Sequence, residues 1–126
     1  MIVVDASALV QALLQDASAR AALRGDELHA PFLIDSEVLN ALRGHFLGGR
    51  ISDTEAALVI AQLGAMDLSR HSAVPLAERA WELRSNLTAY DASYVALAER
   101  LGGGLVTADA RIARAPGLRC SVHVVS

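Results

Sequence analysis

Four carboxylates stand where a chain of strands and helices can bring distant residues to one rim: Asp5, Glu37, Asp91 and Asp109. Asp5 directly follows the β-branched run Ile2-Val3-Val4, and Asp109 comes just after Leu105-Val106-Thr107. Continuous apolar runs of this kind read as strands covered on both faces. Open α/β sheets place their ligand sites beyond the carboxyl ends of such strands. Asp91 lies in the first turn of a helix running to Arg100, where the positive end of the helix dipole stabilises a carboxylate. Glu37 shares a helix face with Asn40, Ala41 and Gly44, a surface of small residues that leaves room for an approaching group. Taken singly, Asp5, Asp91 and Asp109 read equally well as helix-capping acids. The joint pattern is what points to a site.

Four carboxylates in one pocket need a counter-charge. Every basic residue here is arginine, and there is no lysine. Hard divalent cations that take oxygen ligands, Mg²⁺ or Mn²⁺, are the natural partners. Two such ions ~4 Å apart serve phosphodiester displacement, one activating water and the other steadying the leaving oxygen. Ser7 and Thr107 lie beside the acids and are placed to orient them. Bonding of either hydroxyl to local backbone alone is an equal reading.

The elements that must position these residues follow from hydrophobic spacing. Strands are expected at Ile2–Val4, at Leu28-His29-Ala30, around Asp67–Ser69, at Leu105–Thr107 and at Val122–Val125. Helices are expected after Asp5, then from a cap at Asp16 or Ser18 to Arg24 with Gly25 as its stop, and from Phe32 to Phe46 closed by Gly48-Gly49. A capping box at Ser52 and Glu55 announces Ala56–Leu63, with Gly64 as its end. Pro75 suits a helix start, and Leu76, Ala80, Leu83 and Leu87 continue a stripe from it. A short helix from Asp109 to Arg114 and a turn at Pro116-Gly117 lead to the last strand. Trp81 and Phe46 are expected to bury in the core or an interface. Glu78, Glu82 and Glu99 are read as solvated helix charge, and the four histidines show no pairing pattern. Alternating strands and helices mean an α/β fold with a mostly parallel sheet of four to five strands, in one domain over 1–126.

Composition narrows the class. A net charge of −3 argues against wholesale electrostatic binding of nucleic acid. Cys120 is the only cysteine, which excludes an internal disulfide and a thiolate metal cluster. The start Met1-Ile-Val-Val-Asp5 lacks a basic segment, and no apolar run is long enough for a membrane span. A soluble cytoplasmic protein is expected. Hydrophobic residues make up 53%, more than one small core needs, which hints at surface covered by a partner.

The pieces Ile2–Ala8, Ser36–Leu42, Thr88–Ala98 and Leu105–Asp109, in this order, resemble the PIN-domain family, and within it the VapC-type toxins of bacterial toxin–antitoxin pairs. The resemblance implies a compact α/β sandwich, a homodimer, and a Mg²⁺- or Mn²⁺-dependent ribonuclease held inactive by a cognate antitoxin. It places the metal-binding acids at Asp5, Glu37, Asp91 and Asp109. With RNA as substrate, Arg43, Arg84 and Arg111 become candidate phosphate contacts, although each alone reads first as solvated helix charge.

Rival classes fare worse. A haloacid-type phosphatase wants a second acid two residues after the first, where this chain has Ser7, and both it and a receiver domain look for a lysine. No Gly-Lys-Ser/Thr of a P-loop and no G-x-S-x-G of a serine hydrolase occurs. Within the family, an RNA-processing nuclease without antitoxin and a catalytically idle binding module stay open.

Overall fold

A computed structural model describes residues 1–125. Strand β1 (Ile2–Val4) leads into helices α1 (Ala6–Leu13) and α2 (Ala17–Leu23), then β2 (Leu28–Pro31), α3 (Ile34–Leu47) and α4 (Asp53–Ala65). Strand β3 (Leu68–His71) follows, then a 3₁₀ turn at Val74–Leu76 and helix α5 (Ala77–Glu82). The chain finishes with α6 (Ala89–Leu101), β4 (Gly104–Thr107), α7 (Ala110–Ala113) and β5 (Val122–Val124).

The five strands form one sheet in the order β3-β2-β1-β4-β5, and every pair is parallel. Chain order reverses between β1 and β4, so their carboxyl ends flank the switch point where such sheets open a crevice. Val3 pairs with His29 on one side and Leu105 on the other, and both Val3 and Val4 are fully buried. A strand covered on both faces has no polar alternation, as the unbroken β-branched run requires.

Helix α6 is the second organiser. Seven consecutive residues, Ala92 to Ala98, are buried, and the helix packs across β1, β2 and β4. Ala92, Ser93, Ala96 and Ala98 let it lie close to its neighbours, while Tyr94, Val95 and Leu97 fill the core around it. Gly102 ends it in a left-handed conformation at φ 70°, which glycine adopts without Cβ strain. A Cβ on Gly103 would stand 2.8 Å from the Met1 carbonyl oxygen, so this turn must be bare to pass the start of β1.

Local signals mostly hold. Asp16, not Ser18, caps α2 through the Ala19 N–H at 2.8 Å, and both bonds of the Ser52–Glu55 box are made. Other expectations fail. Helix α4 runs through Gly64 to Ala65, because that exposed position asks nothing of its residue and the ladder continues to the Met66 N–H. The helix expected from Pro75 onward is broken into the 3₁₀ turn and α5, with Leu83 and Leu87 in tight turns after it. For Trp81, 68% exposed, and Phe46, also exposed, the core half of the expectation is excluded and the interface half is untouched. The histidines do pair: buried His29 places Nδ1 2.8 Å from His71 Nε2 and Nε2 2.6 Å from Glu27 Oε1, joining β2 to β3.

Candidate active site

All four carboxylates sit at the amino ends of helices. Asp5 is the N-cap of α1 and Asp109 that of α7, while Glu37 and Asp91 lie in the first turns of α3 and α6. The capping reading of the two strand-end acids therefore holds. Asp5, Glu37, Asp91 and Asp109 line one cavity of about 100 Å³ together with Ser7 and Tyr94. Four helix amino ends thus meet at one point, and their dipoles supply part of the positive potential that lysine does not.

Asp5 is held most firmly. Its backbone N–H donates to the Val106 carbonyl at 3.0 Å, tying the end of β1 to β4. Oδ1 accepts from the Ser7 hydroxyl at 2.6 Å and the Ala8 N–H at 3.0 Å, while Oδ2 accepts from the Thr107 hydroxyl. Each hydroxyl has one proton, so Ser7 and Thr107 both spend theirs on Asp5. Their oxygens then accept from the Ala108 and Asp109 backbone N–H groups at 2.9 and 3.0 Å. The reading in which either hydroxyl bonds local backbone alone fails, since both donate to Asp5 and the N–H that Ser7 accepts comes from Ala108, 101 residues away.

Tyr94 was not anticipated. It is 1% exposed, and its hydroxyl donates to Glu37 Oε1 at 2.6 Å. The signal was present, since Asp91 and Tyr94 are three residues apart on one helix and share a face.

The electrostatics divide the acids. Burial foremost, then the charges of neighbouring carboxylates, push Asp91 and Glu37 above the ordinary carboxylate range. Asp5 is raised by burial against the pull of its three hydrogen bonds, with a small addition from Asp109. Asp109 alone is lowered, chiefly by Arg111, which reaches both of its oxygens. Burial and the Glu37 charge push the Tyr94 hydroxyl up, so it stays protonated and can only donate to Glu37.

Of the three arginines singled out in the sequence, only Arg111 reaches this cluster. Arg84 lies over the Trp81 ring, 4.7 Å from its centroid, and donates to the Trp81 carbonyl. Arg43 is exposed on α3 and lines neither the acid cavity nor the cleft beside it.

The donor set is all oxygen, carboxylates with hydroxyls behind them, which suits a hard cation such as Mg²⁺ or Mn²⁺ rather than a nitrogen- or sulfur-seeking metal. Among the described residues no three acid, histidine or cysteine side chains already converge into a coordination shell. Tyr94 and Arg111 hold Glu37 and Asp109 in the present arrangement.

Comparison with known proteins agrees with the fold. The PIN domain family model matches residues 2–118. Ribonuclease VapC9 of Mycobacterium tuberculosis is 44% identical over 125 residues, covering 99% of this chain and 98% of that protein. The structure of PAE2754 from Pyrobaculum aerophilum superimposes with a TM-score of 0.73 at 26% identity, covering 96% of this chain and 81% of that one. The VapBC2 structure from Rickettsia felis, bound to a DNA fragment from its promoter, gives 0.71 at 13% identity with full coverage of both chains, and shows the shared fold. The chain belongs to the PIN-domain family, in the group of the VapC proteins.

Proposed function

We propose that this chain is a divalent-metal-dependent endoribonuclease, the toxin of a toxin–antitoxin pair. The observation that carries the reading is the cluster of one buried and three half-buried carboxylates at the switch point, three of them held above their ordinary pKa and facing no lysine. The relatives supply the substrate class, since VapC9 is named a ribonuclease.

In this reading Asp5 and Asp91 hold the principal cation, and Glu37 and Asp109 complete its shell or share a second. Bound there, Mg²⁺ or Mn²⁺ lowers the pKa of water and offsets charge on the phosphate. Ser7 and Thr107 keep both oxygens of Asp5 aimed, and Tyr94 does the same for Glu37. The helix amino ends favour the dianionic character that develops on the scissile phosphate.

An antitoxin and a second copy of the chain both need apolar surface to bury. Leu39, Phe46 and Leu47 on α3 and Leu58 and Ile60 on α4 are exposed, as are Trp81 and Tyr90. We assign these surfaces to protein partners.

The test is cleavage of a labelled structured RNA by the chain freed of antitoxin, with Mg²⁺ or Mn²⁺, with chelator, and with Asp91→Asn. Cleavage that needs the cation and falls at least ~100-fold in the variant is expected. Full metal-dependent cleavage by Asp91→Asn would overturn the assignment. A companion protein co-purifying with the chain and suppressing that cleavage separates the toxin from a nuclease working without antitoxin.

A further inference from the structure

Arg111 stands beside Asp109 in an arrangement that solvated helix charge does not explain. Its side chain is 81% exposed against 25% for Asp109, so it could extend into water at little cost. Instead it folds back on an acid two residues away. Nε lies 3.0 Å from Oδ1 and 3.2 Å from Oδ2, and Nη2 lies 2.7 Å from Oδ2. The Arg111 backbone N–H takes a further position on Oδ1 at 2.9 Å. A carboxylate offers about four lone-pair sites, and this one residue engages them with four contacts. The same guanidinium also pulls against the upward shift that burial and the neighbouring acids impose on Asp91, so its charge is felt across the cluster.

We propose that Arg111 is a built-in counter-ion that occupies Asp109 until a divalent cation displaces it. The inference rests on the metal-nuclease reading above. Its logic is competition for one carboxylate: guanidinium and cation both seek Oδ2, and their like charges repel across it. The backbone bond to Oδ1 caps α7 and stays in place. The chain thereby stabilises its metal-free site without lysine, and does so with a group flexible enough to leave. Exchange between guanidinium and cation makes occupancy of the Asp109 position the step most sensitive to cation concentration and salt.

The experiment is calorimetric titration of Mn²⁺ into the metal-free wild-type chain, Arg111→Ala and Arg111→Gln, at low and at 0.5 M salt. Both variants are expected to bind Mn²⁺ about two- to fivefold more tightly than wild type, the range of an exposed ion pair. The difference should shrink in high salt, where the competing pair is screened. A second readout is the Nε–H NMR signal missing from the Arg111→Ala spectrum: in wild type it should be protected without metal and exchange freely with saturating Mg²⁺. Equal or weaker Mn²⁺ binding by both variants, with wild type binding normally, overturns the inference and leaves the metal reading intact. Failure of wild type to bind Mn²⁺ at all sinks the metal reading and this inference with it.

Discussion

Asp91 and Glu99 sit eight residues apart on α6, and the helix treats them in opposite ways. Glu99, near the carboxyl end, accepts from Arg79 Nε at 2.6 Å and Nη2 at 3.2 Å and from the Arg119 N–H at 2.7 Å. Arg79 also donates to Glu82 and to the Gly117 carbonyl, so one guanidinium ties α5, α6 and the loop before β5 together. Burial raises Glu99, and its bonds more than reverse this, holding it below the ordinary value. Asp91, in the first turn, is raised by burial and then further by Asp5 and Asp109. One end of the helix is electrostatically satisfied and the other is frustrated. Frustration that every local rule would remove marks a place kept for something other than folding.

The largest effects should separate the two ends. Asp91→Asn removes a repelling charge, so RNA cleavage should fall at least ~100-fold while the metal-free protein unfolds no more easily, or less. Glu99→Gln should do the reverse. It weakens three bonds at a side chain only 10% exposed, costing about 2 kcal/mol in urea denaturation. It lies two helical turns from Asp91, about 12 Å along the axis, so cleavage should be retained. Loss of activity in a fully folded Glu99→Gln would erase the distinction between the ends.

The frustrated end was legible in the sequence and the satisfied end was not. Asp5 and Asp109 follow apolar runs and Asp91 opens a helix, so strand ends and helix starts were enough to pick them. Glu99 reads as solvated charge because its partner lies 20 residues away on another helix, and the angle between α5 and α6 is not a local property. The His29–His71 pair escaped for the same reason, since it depends on the register that sets His29 opposite Ser69 across β2 and β3. The single helix expected from Pro75 is cut after Glu82, where turn bonds around Leu83 override the stripe of Leu76, Ala80, Leu83 and Leu87. Strands β1 and β4 were legible because buried parallel strands read as unbroken apolar runs, whereas β3 and the exposed β5 carry weaker signals, which left the expectation at four to five strands, mostly parallel.

The pH dependence of stability sharpens the contrast. Asp5, Glu37 and Asp91 have raised pKa values in the folded protein, which therefore binds more protons than the unfolded chain just above the ordinary carboxylate value near 4. Stability of the metal-free chain should fall as pH rises from there through the raised values, then level off. Glu99 and Asp109 are lowered, so their contribution is present above the ordinary value and lost as pH drops through their folded pKa values. The melting temperature in chelator should then peak on the acid side of neutrality. Saturating Mg²⁺ should flatten the descending limb, because the cation takes the place of the protons. A melting temperature that rises steadily from pH 4 to 7 in chelator would contradict the frustrated cluster.

The smallest effect tests whether the frustrated end is also aimed. Tyr94→Phe keeps the ring and its packing and removes only the hydroxyl bonded to Glu37. That bond is charge-assisted and lowers the Glu37 pKa, partly offsetting burial. Its loss should cost about 1 kcal/mol of stability, since the carboxylate loses a donor but keeps access to water. Cleavage should fall about fivefold, the low end for a group that positions a ligand without touching the substrate. The pH profile distinguishes positioning from packing: without its donor Glu37 needs a higher pH to ionise, so the acidic limb of activity should move upward. A variant with the wild-type profile and undiminished cleavage would mean that α3 alone aims Glu37 and that Tyr94 serves the core.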